Sequence, residues 1–110
     1  VAVSLVKYVD PGYEISSLKI FSYMACEKPV IGTNVSGIKE ILQNNNIGTV
    51  CEKDNFNSFV AAVFNLYKMD EKERCDMGKR ARNLILEKYT WKTIVSNTLN
   101  WVVEKENRIL

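Results

Sequence analysis

Histidine is absent from the 110 residues. That absence removes imidazole acid–base catalysis, a serine–histidine dyad and a histidine-ligated zinc site. Cysteine is scarce, at positions 26, 51 and 75. An odd count without C-x-x-C spacing argues against a disulfide framework and a metal knuckle. The three read as small buried hydrophobes in a reducing compartment. No apolar run approaches the roughly 20 residues of a membrane span, and no signal peptide is visible. The expectation is a cytoplasmic chain, or one peripheral at a membrane in a longer parent. Charge of one sign is lacking too: 15 basic residues face 13 acidic ones, a net of +2. That excludes a strongly basic nucleic-acid binder and an acidic disordered tail. Low-complexity tracts, linkers and internal repeats are missing.

What is present is 46% hydrophobic residues in one domain's length, enough to bury roughly two-thirds of the unfolded surface. Val1 to Val6 is a β-branched run that reads as a strand buried on both faces. After the Asp10-Pro11-Gly12 turn, a helix starts near Ser16 or Ser17. Its Leu18, Ile20, Phe21, Met24 and Ala25 mark it as interior. Pro29 ends it. Pro29 to Thr33 reads as a second strand, Gly37 to Leu42 as a short helix, and Thr49 to Cys51 as a third strand. Asn46 or Gly48 can take the positive φ of the turn between. Asp54 or Asn55 then caps a helix with a stripe of Phe56, Phe59, Val60, Val63, Phe64 and Tyr67. A further helix, Glu71 to about Tyr89, is apolar at Met77, Ala81, Leu84 and Ile85. Thr90 caps a last helix with Trp91, Ile94, Val95, Leu99 and Val102 inward.

The order β-α-β-α-β-α-α-α predicts an α/β fold: a short parallel sheet of about three strands, flanked by helices, with a helical C-terminal part. In such sheets ligands sit beyond the carboxyl ends of the strands. Lys7 to Ser17 and Thr33 to Gly37 lie there. Ser16, Ser17 and Leu18 fall in the first turn of a helix, where backbone N–H groups have no intrahelical partner. With the helix dipole they make an anion site suited to a diphosphate. The alternative is that the serines are only caps and Glu14 only solvated. The second segment offers further amides or is an ordinary loop.

The stretch Ser17-Leu18-Lys19-Ile20-Phe21-Ser22-Tyr23-Met24-Ala25-Cys26-Glu27-Lys28-Pro29-Val30-Ile31-Gly32-Thr33 resembles the helix and G-K-P-V-I-A-T strand of group 1 (family 4) retaining glycosyltransferases with the GT-B fold. Val35-Ser36-Gly37-Ile38-Lys39-Glu40-Ile41 is similar to their V-G-G-I-P-E-I, and Asn46-Ile47-Gly48-Thr49-Val50 to their turn and strand. Arg74-Cys75-Asp76-Met77-Gly78 with Ala81-Arg82 resembles R-x-x-M-G-x-x-A-R, and Tyr89-Thr90-Trp91 the terminal F-S-W.

The resemblance implies a Rossmann-like, three-layer unit spanning residues 1–110. It would be the C-terminal half of a nucleotide-sugar-binding donor domain. The family's Glu-x7-Glu motif places its first glutamate, which contacts the donor sugar, on Glu14. The amides of Ile15, Ser16, Ser17 and Leu18 would hold the donor diphosphate. The second glutamate, which grips the ribose, falls on Ser22, a departure from the family pattern. Glu27 is another, standing where the family usually has glycine, so a positive φ there would be strained. The implied activity is sugar transfer from a nucleotide diphosphate-sugar with retention and with no metal, as in polysaccharide biosynthesis, with lipid-linked and small-molecule acceptors equally open. The acceptor domain and the basic residues that neutralise the diphosphate are missing partners. The isolated piece is then expected to be inactive, with the Val1–Val6 edge paired with another copy or shielded by neighbouring chain. A non-catalytic nucleotide-binding module is one alternative reading. A protein-interaction module is another, motivated by Lys79, Arg80 and Arg82, which otherwise read as a solvated face.

Overall fold

The computed structural model describes residues 1–5, 18–35 and 37–109. Three parallel strands, β1 (Ala2–Ser4), β2 (Val30–Thr33) and β3 (Gly48–Cys51), lie in the order β1-β2-β3. Val30 pairs with both Ala2 and Gly48, which fixes one register across the sheet. The helices are α1 (Leu18–Ala25), α2 (Ile38–Asn44), α3 (Phe56–Lys68), α4 (Glu71–Lys88) and α5 (Trp91–Ile109). The α/β architecture expected from the element order is therefore observed.

The strand period of two divides the core in two. Val30 points into one cluster with Ile20, Met24, Ile38, Leu42 and Ala81. Its neighbour Ile31 points into the other, with Cys51, Ala62, Leu66 and Met77. Helices α1 and α2 thus cover one face and α3 the other. Met77 belongs to one cluster and Ala81 and Leu84 to the other, so α4 joins the two. Two glycines let backbones touch. A Cβ on Gly48 would lie 2.2 Å from the Val30 carbonyl oxygen, and one on Gly78 would lie 2.0 Å from that of Glu27.

The helix starts follow local chemistry. The Asn55 side chain accepts the Ser58 N–H at 2.9 Å, so Asn55 rather than Asp54 caps α3. Asp70 and Glu73 form a reciprocal capping box on α4. Thr90 Oγ1 accepts the Thr93 N–H at 3.2 Å, capping α5 as expected. Asn46, not Gly48, takes the positive φ, at 51°.

Several burial expectations are corrected. β1 is an edge strand rather than one buried on both faces, and Val3 is 41% exposed. Helix α1 is interior on one face only, with Ile20 and Met24 buried and Leu18 exposed. On α3 the buried residues are Ala62 and Leu66, while Phe56, Val63, Phe64 and Tyr67 face outward. No residue of α5 is buried. Only Cys51 is a buried cysteine; Cys26 and Cys75 are exposed. Adjacent strands are about 4.8 Å apart, so three span about 10 Å, close to one helix diameter. So narrow a sheet covers one edge of an apolar stripe and leaves the other uncovered.

Candidate donor site at the strand ends

The carboxyl ends of β1, β2 and β3 carry the candidate site. Glu14, Ile15, Ser16 and Ser17 lie outside the described residues, as do Lys7, Tyr8, Tyr13 and Ser36. Leu18 and Ser22 are described. Leu18 opens α1, its side chain 78% exposed. Ser22 lies one turn on and is also exposed; its hydroxyl donates to the Leu18 carbonyl at 3.3 Å. That bond keeps the hydroxyl within its own helix. Among the described residues, no acidic residue occupies the first turn of α1.

The loop after β2 is held by backbone and side chain together. The Asn34 N–H donates to the Cys51 carbonyl at 2.7 Å, and the Val35 N–H to that of Thr33 at 2.8 Å. Asn34 Nδ2 donates to both carboxylate oxygens of Glu52, at 3.0 and 3.3 Å. The Glu52 N–H in turn donates to Ser58 Oγ at 2.8 Å, tying the strand end to α3. Gly37, at φ 83°, closes the loop with open space where a Cβ would sit.

Between these ends and α3 lies an open cavity of about 430 Å³. Leu5, Thr33, Cys51, Glu52, Phe56 and Phe59 are among the residues that line it. Burial pushes the Cys51 thiol above its ordinary 9.0; a backbone hydrogen bond acts against this and the Glu52 charge adds to it. The thiol therefore stays protonated at neutral pH and is no nucleophile. The Asn34–Glu52 pair was not singled out from sequence, and Phe56 and Phe59 were read there only as part of the apolar stripe of α3. A signal existed: Thr33 pairs with Cys51 in the parallel register, so the next residues, 34 and 52, leave the sheet side by side.

The sequence profile of the family described as "Glycosyl transferases group 1" matches residues 6–84, well over half of the chain. The chain belongs to the group 1 glycosyltransferases. This glycosyltransferase chain is 36% identical over 83 residues to N-acetyl-alpha-D-glucosaminyl L-malate synthase of Bacillus anthracis. That match covers 76% of this chain and 22% of the relative. It is 37% identical over 98 residues to a probable sucrose-phosphate synthase of Thermosipho melanesiensis, covering 89% and 22%. It thus spans about a fifth of the length of these relatives. The sucrose-phosphate synthase of Thermosynechococcus elongatus superposes on 96% of the chain, with TM-score 0.73 and 21% identity, over 26% of its own length. That likeness establishes the Rossmann-like fold of a GT-B domain. Among the described residues no helix is long and apolar enough to cross a membrane.

Proposed function

We propose that this chain is the C-terminal half of the donor domain of a retaining group 1 glycosyltransferase. In this reading it grips the diphosphate of a nucleotide-sugar at the N-terminus of α1. The family match over residues 6–84 carries the reading. The acid-free first turn of α1 supports it. The amides of Ile15, Ser16, Ser17 and Leu18 would stabilise the charge that grows on the departing diphosphate. Glu14 would position the sugar. No metal takes part in this scheme. The acceptor domain and the basic residues of the other donor half come from the rest of the protein, so the 110-residue chain alone transfers no sugar. Its place is the cytoplasm, with access to a membrane surface open to the full-length enzyme.

Ser22 replaces the carboxylate that grips the ribose. A hydrogen bond to a charged group is worth about 1.5–3 kcal/mol, or about ten- to a hundredfold in affinity. Titration calorimetry with UDP and GDP, on the chain and its Ser22→Glu variant, tests the assignment. Tighter binding by the variant is expected; equal affinities would show that Ser22 does not face the ribose.

A further inference from the structure

We propose that Asn34 and Glu52 are a positioning pair for nucleotide binding: they hold the loop after β2 in place beside the start of α1. This deepens the donor-binding reading above and rests on it. Thr33 and Cys51 are paired in the parallel register, so residues 34 and 52 leave neighbouring strands side by side. Asn34 is anchored twice there. Its N–H donates to the Cys51 carbonyl at 2.7 Å, and its Nδ2 to both Glu52 carboxylate oxygens, at 3.0 and 3.3 Å. Glu52 is tied in turn to α3. Its N–H donates to Ser58 Oγ at 2.8 Å, and the Ser58 N–H donates to Asn55 Oδ1 at 2.9 Å. One hydrogen-bonded chain therefore runs from the loop, across the end of β3, to the start of α3.

The held loop lies where a ligand of this sheet would meet it. Helices α1 and α2 pack on the same face of the sheet. The loop leading into α2 and the start of α1 are thus on one side of the strand ends, where ligands of parallel sheets bind. The pair grips this loop from its far side, at β3. Glu52 also lines the cavity reached by Leu5, Thr33 and Cys51 from the ends of all three strands. The loop itself ends at Gly37, whose φ of 83° is a conformation that glycine adopts with little restraint. Glu52 is exposed and Asn34 half-buried, so water competes for their bonds and the fold gains little from them. What the bonds fix is geometry. A site built on a loop depends on supporting hydrogen bonds to hold its productive shape.

The test is titration calorimetry of the full-length enzyme with UDP and with GDP. Asn34→Asp sets two carboxylates against each other and is expected to weaken binding of the preferred nucleotide at least about fivefold. Adding Glu52→Gln restores a donor and an acceptor with their direction reversed, the new amide donating to the new carboxylate. The double variant is expected to bind within about twofold of the parent. Asn34→Ala, which adds no repulsion, is expected to weaken binding as well, and carries the comparison if Asn34→Asp does not fold. Unchanged circular dichroism and unfolding temperature show that the loss of affinity is local. Single variants that bind as tightly as the parent, or a double variant that binds no better than Asn34→Asp, would overturn the inference alone. A parent that binds neither nucleotide would overturn the donor-binding reading and this inference with it.

Discussion

Gly78 of α4 lies directly against the carbonyl of Glu27: a Cβ at Gly78 would be 2.0 Å from that oxygen and 2.7 Å from its carbon. Glycine is a poor helix former, yet here it lets α4 approach the turn between α1 and β2. Arg82, one turn on, donates to the Ala25 carbonyl at 2.6 Å and approaches Glu27 at 4.0 Å. The M-G-x-x-A-R run is thus a docking surface for the end of α1. Gly78→Ala would gain about 1 kcal/mol of helix propensity. The clash is with backbone, however, and overpacking costs about 1–3 kcal/mol or more. Urea denaturation is expected to show a net loss of stability.

Glu27 itself has φ 58°, in the left-handed region. A non-glycine residue is penalised there by about 1–2 kcal/mol. Glu27→Gly removes that strain but frees the unfolded chain, at about 0.5–1 kcal/mol. The expected result is a gain of up to about 1 kcal/mol, with Glu27→Ala showing none. The exposed contact with Arg82 contributes little either way.

The amphipathic pattern was readable in α4, where Met77, Ala81 and Leu84 face inward as expected. Two caps were readable as well, because the Asn55 and Thr90 side chains accept from amides three residues ahead; the Asp70 cap was not read from the sequence. Phe21 packs on Tyr89 with ring centroids 4.9 Å apart, which gives the Tyr89-Thr90-Trp91 resemblance a structural meaning. What could not be read was which side of a wide apolar stripe meets a narrow sheet. On α3, Ala62 and Leu66 won over larger residues because they sit on the edge that abuts β3 and Ile31. The candidate site divided likewise. An anion site at a helix start follows from local rules, whereas the Asn34–Glu52 pair depends on strand register.

The cysteines should separate by reactivity. Cys26 and Cys75 are exposed and Cys51 is buried with its thiol pushed upward. Iodoacetamide at neutral pH is expected to label the first two and spare Cys51 until urea is added. Linkage sets the sign: above the ordinary 9.0, the unfolded chain releases the Cys51 proton first. Stability therefore falls as pH rises past that value. A Cys51→Ser variant should lose that part of the alkaline slope.

The β1 edge and the outer face of α5 leave Val3, Trp91, Trp101 and Val103 exposed. Unpaired edges and apolar patches favour association. Sedimentation of the isolated chain is expected to show concentration-dependent self-association, reduced by Val3→Lys or Trp101→Lys. A clean monomer at high concentration would show that these surfaces do not attract one another.

The central claim is that α1 presents a diphosphate site. The direct measurement is amide NMR of the chain titrated with UDP. A diphosphate site at α1 gives saturable shifts at Leu18 and the following turn, reproduced by inorganic diphosphate and weakened by salt. Shifts absent from α1 at saturation, or located only elsewhere, would contradict it.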